Sequence, residues 1–265
     1  LTTPMITVND VDLYQAACVS AQNVFAKYIS IHAAVPGIAG DESWATYLGT
    51  TTALQQSKAA NRVCLVPQLH GNNLGVVVGR LINDSFSLAD SPMRVRSGAY
   101  IGLGVEPVDS AGNALTMAHI EALATARFSV PQTYTGYDGT YWADHATLDV
   151  EGGDFSVFEN LRVIDYVTRR VRIKAITKVA DRELNSSKSS IAAHEGYFMQ
   201  PIFDAAKEVM IKGVPKPGMV QTPQTGDIVI AFKTATEVEI YMMAAPVNSP
   251  KKISAHISLD LNRLA

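Results

Sequence analysis

The sequence predicts an α/β fold, α+β when taken whole. A parallel βαβ-containing first part is followed by helices and then by an antiparallel β region at the C-terminal end. Three observations lead there. Apolar runs and helical patterns alternate through the first 130 residues, as they do in βαβ units with parallel strands. Two long helical patterns follow, over 155–184 and 189–212. From residue 227 on, apolar and polar residues alternate with period two, the signature of half-buried strands. These patterns divide the chain into an α/β part at 1–130 and a part at 131–265 with long helices and a terminal strand arm, unless the two form one compact unit.

The totals bound the function class. A chain of 265 residues with 47% hydrophobic content can bury a sizeable core. Its net charge of −3 argues against a global nucleic-acid footprint. No apolar run reaches the roughly 18 residues that a membrane-spanning helix needs. Cys18 and Cys64 sit among apolar neighbours and make no disulfide framework, which fits a reducing assembly compartment. The chain opens on Leu1 without a signal-like start, as part of a longer protein would.

In order, residues 1–8 read as extended. Asp10 is placed to cap a helix reaching about Asn23, with Leu13, Ala16, Ala17 and Val19 apolar. A strand is expected over 25–35, closed by Pro36, Gly37 and Gly40. Asp41 then caps a helix over 42–60, with Trp44, Tyr47, Leu48 and Leu54 near helical spacing. The run 62–66 reads as a buried strand closed by Pro67. Gly71 and Asn72 form a turn into a helix over 74–82. Gly71, Gly75 and Gly79 leave one of its faces bare for close approach to another backbone. A polar corner follows at 89–95. There Pro92 pushes Ser91 toward extended geometry, and Arg94 and Arg96 leave on the same side of an extended segment.

Asn113 is expected to open a helix to about Ala126. Asp138-Gly139, flanked by aromatic residues, marks a hairpin, with Tyr137 and Tyr141 or Thr140 and Trp142 facing across it. It is a packed β-corner or, less readily, a ligand platform. Phe155 or Ser156 opens the longest helical pattern, to about Leu184, for a reach of roughly 40 Å. Leu161, Ile164, Val167, Val171 and Ala175 mark its apolar face. Arg170, Lys174, Lys178 and Arg182 recur every four residues as a basic row. A solvated face is the plain account of that row, and docking of an acidic partner is the sharper one. The helix at 189–212 carries Tyr197, Phe198, Ile202 and Phe203, with a kink at Pro201, and 213–218 is a connector. Strands are expected over 227–233, 237–245 and 253–261. The last alternates Ile253, Ala255, Ile257, Leu259 and Leu261 against polar residues, and a long terminal strand must find a partner edge.

Several motifs together carry a resemblance. LVPQLHGNNLGVVVGRL begins at Leu65, and ADSPMRVRSG begins at Ala89. YTGYDGTYWAD runs from Tyr134, ENLRVID from Glu159 and ADRELNSSKSSIAA from Ala180, and LDL closes at Leu261. In this order they resemble contractile-tail sheath proteins, and most closely the phage sheath family long catalogued as a domain of unknown function. The chain departs at Val78, where that family prefers Ala, and at Met93, where Gly is common. The resemblance implies a sheath-like fold and a structural role without catalysis or cofactor. Hexameric rings would stack helically around an inner tube, with baseplate and tail terminator proteins as further partners. The location would be the virion tail, after assembly in the host cytoplasm, with no direct nucleic-acid contact and no membrane insertion. On that footing the basic row is the candidate tube-facing surface, and the strand from Ile253 to Leu261 is the inter-subunit arm.

Enzymatic signatures are weak. Asp144-His145 and His194-Glu195 are adjacent acid–histidine pairs, but no G-x-S-x-G or H-E-x-x-H accompanies them. The six histidines are scattered, and no Cys/His spacing suggests a metal. The alternative function is a monomeric α/β enzyme or small-ligand-binding protein that uses the turn from Gly71 to Gly79.

Overall fold

The computed structural model describes residues 1–4 and 7–254. The first layer is a three-stranded parallel sheet in the order β1 (Thr2–Pro4), β2 (Ile31–Val35), β3 (Val63–Pro67). Helices α1 (Val8–Phe25) and α2 (Trp44–Ala53) connect the strands. β3 is buried at every position, which explains its unbroken apolar run. Its residues alternate between two cores. Ala33, Val35, Val63 and Leu65 pack with Val11 of α1, Trp44 and Tyr47 of α2, and Leu123 of α4 (Met117–Thr125). On the opposite face, Val66 meets Val77 of α3 (Asn73–Leu81), and Cys64 meets Phe158 and Leu161 of α5 (Phe158–Ile176).

The second part is built on α5 and α6 (Lys188–Ala206). Val163, Val167 and Val171 of α5 pack with Phe198 and Ile202 of α6, and with Ile228 and Ile230 further along the chain. Three antiparallel pairs complete the fold: β4 (Pro131–Tyr134) with β5 (Tyr137–Trp142), β6 (Val209–Ile211) with β7 (Val214–Lys216), and β8 (Ile228–Phe232) with β9 (Val238–Met242). The parallel first layer, central helices and antiparallel end agree with the expected fold class.

Several boundaries differ, each for a local reason. Thr7, not Asp10, caps α1. Asp10 is the third helical residue, and its Oδ2 accepts the Thr7 N–H at 2.6 Å in a capping box. α1 continues through Phe25 and ends at left-handed Ala26, so β2 begins only at Ile31. Ser43 caps α2 in place of Asp41, and α2 stops at Ala53, well before residue 60. Its last turn is Thr-rich, and the Thr50 and Thr52 hydroxyls donate back to the Thr46 and Leu48 carbonyls.

The bare glycine face of α3 does not meet a second backbone. A Cβ on Gly79 would find nothing within 4 Å, and one on Gly75 would meet only the Asn72 side chain. The close approach occurs instead at Gly104, where an added Cβ would lie 1.9 Å from the His70 carbonyl oxygen. Arg94 and Arg96 border and enter a 3-10 turn, Val95–Ser97, rather than an extended segment. Asn113 belongs to a loop around Asp109, whose carboxylate accepts its N–H, and Thr116 is the actual cap of α4.

The hairpin turn lies at Thr135 and Gly136, with φ of 76° at Gly136, and places Asp138-Gly139 inside β5. Gly139 is needed there because a Cβ would come within 2.8 Å of Ala99. Tyr134, Tyr137 and Tyr141 cluster around the hairpin with centroids 5.5 and 5.6 Å apart.

α5 has 19 residues and so reaches roughly 28 Å, not 40 Å. α6 ends at Ala206, with Pro201 accommodated inside it. The expected continuation to 212 is instead the β6–β7 hairpin. Its two-residue turn puts Lys212 and Gly213 at φ of 47° and 80°, the left-handed pair that a tight hairpin requires. Of the terminal arm, only Ile253 and Ser254 are described, and both are exposed. Ala255, Ile257, Leu259 and Leu261 lie outside the described residues.

Candidate assembly surfaces

The basic row does not run along one helix. Arg170 and Lys174 lie on α5, while Lys178 and Arg182 follow it in a chain of turns that includes left-handed Ala180. Arg170 is exposed and stacks over the Tyr166 ring at 4.4 Å. Lys174 is half-buried. Its Nζ donates to the Tyr197 carbonyl at 3.0 Å and sits over the Tyr197 ring. Lys178 pairs with Asp181 at 2.7 Å and Glu183 at 3.0 Å, and these bonds push its pKa up to about 12. Arg182 is exposed. The two lysines therefore hold α6 and the turns between α5 and α6, while the two arginines are exposed. Arg169 and Arg172 are exposed on the same helix and add to that surface, a feature the four-residue spacing alone does not pick out.

Where the two parts meet, charged groups join them. Arg62 beside β3 makes a bidentate pair with Asp165 of α5, at 2.8 and 2.9 Å, and also donates to the Ile29 carbonyl. Arg162 donates to the Leu81 carbonyl at the end of α3, at 2.7 Å. Lys251, near the end of the described chain, lies 2.6 Å from Asp144 and 3.1 Å from Glu159. Burial works against the Lys251 ammonium, but the Glu159 and Asp144 carboxylates outweigh it and hold its pKa above the usual value.

Beside this seam lies a buried cluster that the sequence did not reveal. His32 and Cys64 are register partners on β2 and β3, and His145 follows β5. One ligand-type atom from each lies within 4.8 Å of the others. The imidazoles stack with centroids 5.0 Å apart, and the Phe158 ring meets both edge-on. A hydrogen-bonded chain runs through them. The Trp142 indole donates to Ser129 Oγ at 2.7 Å, Ser129 Oγ meets His145 Nδ1 at 2.5 Å, and His145 Nε2 meets His32 Nδ1 at 3.0 Å. Burial pushes His32 down to about 3, lowers His145 well below its usual range and pushes the Cys64 thiol well up. Residues from three separate places give no spacing signal. The only hint was a His and a Cys inside neighbouring apolar runs.

The turn at Gly71 is closed by the chain itself. The Asn72 N–H donates to the Leu103 carbonyl, the His70 N–H to Asn73 Oδ1, and the Leu74 N–H to Gln68 Oε1. Of the first-turn amides of α3 that a phosphate would use, that of Leu74 is thereby engaged. Asp144 binds Lys251 rather than His145's ring, and His194 Nδ1 faces the Ser190 carbonyl within its own helix. No helix among the described residues is long and apolar enough to cross a membrane.

A parallel α/β layer is thus tied by charged seam contacts to an α-plus-antiparallel-β layer, and its buried polar groups hold its own elements together. Residues 1–146 match the model described as the DUF2586 N-terminal domain, and residues 154–262 match the DUF2586 C-terminal domain. The chain belongs to the DUF2586 family. It is also similar to a protein of Haemophilus phage HP1 (strain HP1c1), provisionally named a tail sheath protein, with 48% identity over 237 residues. That match covers 87% of this chain and 63% of the phage protein's length.

Proposed function

We propose that the chain is a structural, non-catalytic subunit of a contractile tail sheath, located in the virion tail after assembly in the host cytoplasm. The observation that carries this reading is the 48% identity to the Haemophilus phage HP1 protein provisionally named a tail sheath protein. Membership of the DUF2586 family over both parts of the chain supports it. Subunits form hexameric rings that stack helically around an inner tube and contract to drive the tube through the host envelope. Baseplate and tail terminator proteins bound the polymer at its ends.

Two surfaces serve that role. The basic row faces the tube, with Arg170 and Arg182 supplying exposed charge while Lys174 and Lys178 keep α6 in place. The arm from Ile253 to Leu261 augments a neighbour's sheet, with backbone hydrogen bonds giving affinity and alternating side chains fixing register. The exposed Ile253 beyond the Lys251 anchor supports an outward-leaving arm. The closed turn at Gly71 speaks against the small-ligand alternative.

The test is negative-stain electron microscopy of the concentrated full-length protein with and without the tube protein of its own particle. Striated cylinders or stacked six-fold rings are expected. Discrete small particles under all conditions would overturn the sheath reading. The double reversal Arg170→Glu/Arg182→Glu should leave folded subunits that no longer decorate tubes, and unchanged decoration would remove this row from the tube contact.

A further inference from the structure

We propose that His32, Cys64 and His145 form a binding site for a thiophilic, low-coordinate metal ion, Cu(I). The inference rests on donor type, number and placement. Two imidazoles and one thiol converge from β2, β3 and the segment after β5, with their ligand atoms within 4.8 Å of one another. All three residues are buried, and Phe158 and Leu161 pack beside Cys64. Packing alone would be satisfied by apolar side chains at these positions. Sulfur and imidazole donors without a carboxylate select soft or borderline ions over magnesium or calcium. Structural zinc sites are almost always four-coordinate. Among the described residues, no fourth His, Cys, Asp or Glu joins this group. A three-donor set of one sulfur and two nitrogens therefore suits Cu(I) better than Zn(II).

The surroundings provide what such a site needs. Ser129 Oγ contacts His145 Nδ1, the nitrogen away from His32, and the Trp142 indole holds Ser129 in turn. That is the outer-shell contact that fixes the orientation of a ligating histidine. A cavity of about 270 Å³, lined in part by His32, Phe158, Arg162 and Leu81, lies beside the cluster and offers an entry path. Binding is a simple exchange without a redox step. Cu(I) enters between the nitrogens that now share a hydrogen bond, and that shared proton moves to the far nitrogen of its own ring. The Cys64 S–H bond breaks as the Cu–S bond forms, and one proton leaves for solvent.

The full chain, reduced and kept anaerobic, would be titrated with Cu(I) against a chromogenic Cu(I) chelator, with Zn(II) titrated in parallel. One Cu(I) per chain is expected. Cys64→Ala should abolish it, Cys18→Ala should keep it, and Ser129→Ala should weaken it about 10- to 100-fold. X-ray absorption on the loaded wild-type protein should show one sulfur and two nitrogens around copper, a readout independent of whether the Cys64 variant folds. No stoichiometric uptake, a different donor set, or copper retained by folded Cys64→Ala would overturn the proposal. Preferential 1:1 uptake of Zn(II) would overturn the assignment to Cu(I). None of these outcomes bears on the sheath reading, which microscopy tests separately.

Discussion

Replacing Asp165 with Asn should destabilise the folded subunit by about 3 kcal/mol. Asp165 and Arg62 form two parallel charge-assisted hydrogen bonds, at 2.8 and 2.9 Å, with side-chain exposures of 16% and 8%. At an effective dielectric constant near 20, opposite charges about 4 Å apart attract by about 4 kcal/mol. The amide in Asp165→Asn keeps one acceptor, loses the charge, and turns an NH2 group toward the guanidinium. Arg62 stays protonated and buried, keeping only its bond to the Ile29 carbonyl and one to the new amide. Breaking one side of a buried pair costs about 3–5 kcal/mol, and the partial exposure of Asp165 places this site at the low end. Urea unfolding of dilute, unpolymerised subunits reads the loss as a lower midpoint at unchanged slope. The double variant Arg62→Met/Asp165→Leu, which removes both charges, should recover most of it. A midpoint for Asp165→Asn within about 0.5 kcal/mol of wild type would refute the claim that this pair holds the seam.

The other predictions address separate sites. Gly104→Ala should destabilise by more than about 1 kcal/mol, because φ is 118° there and the new Cβ would strike the His70 carbonyl. Gly79→Ala, on an exposed helix position with open space around it, should stabilise by about 0.5–1 kcal/mol, and thermal melts of the pair check both signs. Burial pushes the Tyr47 phenol up to about 12, from 10 in the open chain, so the folded state favours the neutral form. Its contribution is complete below pH 10 and lost at about 1.4 kcal/mol per pH unit between 10 and 12. Tyr47→Phe should flatten that alkaline fall in denaturant midpoints. Lys251→Met should leave the Asp144 and Glu159 carboxylates without their shared cation and free the strap behind it. Hydrogen exchange over 246–253 should then rise, while exchange in α5 stays near wild type.

What the sequence made legible was whatever a single periodicity decides. β3 and β8 stood out because their side chains pack on fixed faces, and the apolar stripe of α5 stood out for the same reason. The cap positions differ by a few residues, Asp10 lying three after the true cap and Asp41 two before it. Asp10 and Asp41 are good cap residues, but Thr7 and Ser43 lie where the chain actually turns into the helix. The hairpin signal Asp138-Gly139 misled because Gly139 is demanded by a tertiary neighbour, Ala99, rather than by a turn. The basic row was found by spacing, yet spacing cannot say that Lys174 and Lys178 spend their charge on Tyr197, Asp181 and Glu183. The histidine–cysteine cluster was invisible for a stricter reason. His32 meets Cys64 only through strand register, and His145 arrives from a segment more than 80 residues later in the chain.

The placement of the seam contacts bears on how a sheath subunit would move. Under the role proposed above, contraction would displace subunits within a lattice, so load entering through the proposed arm would have to reach the parallel sheet without shearing the two parts against each other. Apolar contact across the seam, such as Phe158 and Leu161 on Cys64, is non-directional and tolerates sliding. Charge-assisted bonds have a narrow geometry and resist it. Among the charge-assisted contacts that cross the seam are Arg62 to Asp165, Arg162 to the end of α3, Lys251 to Asp144 and Glu159, and Lys216 to Asp90. The first and third involve α5 near its middle and its start, and Lys251 is also the last anchored side chain before the arm. Load from the proposed arm would therefore meet Lys251 first and pass together to Asp144, within the N-terminal family match at 1–146, and Glu159, within the C-terminal match at 154–262. Under the proposed role this makes the pair of parts travel as one body. It also means that weakening the Lys251 anchor should disturb arm direction and polymer order before it disturbs the fold.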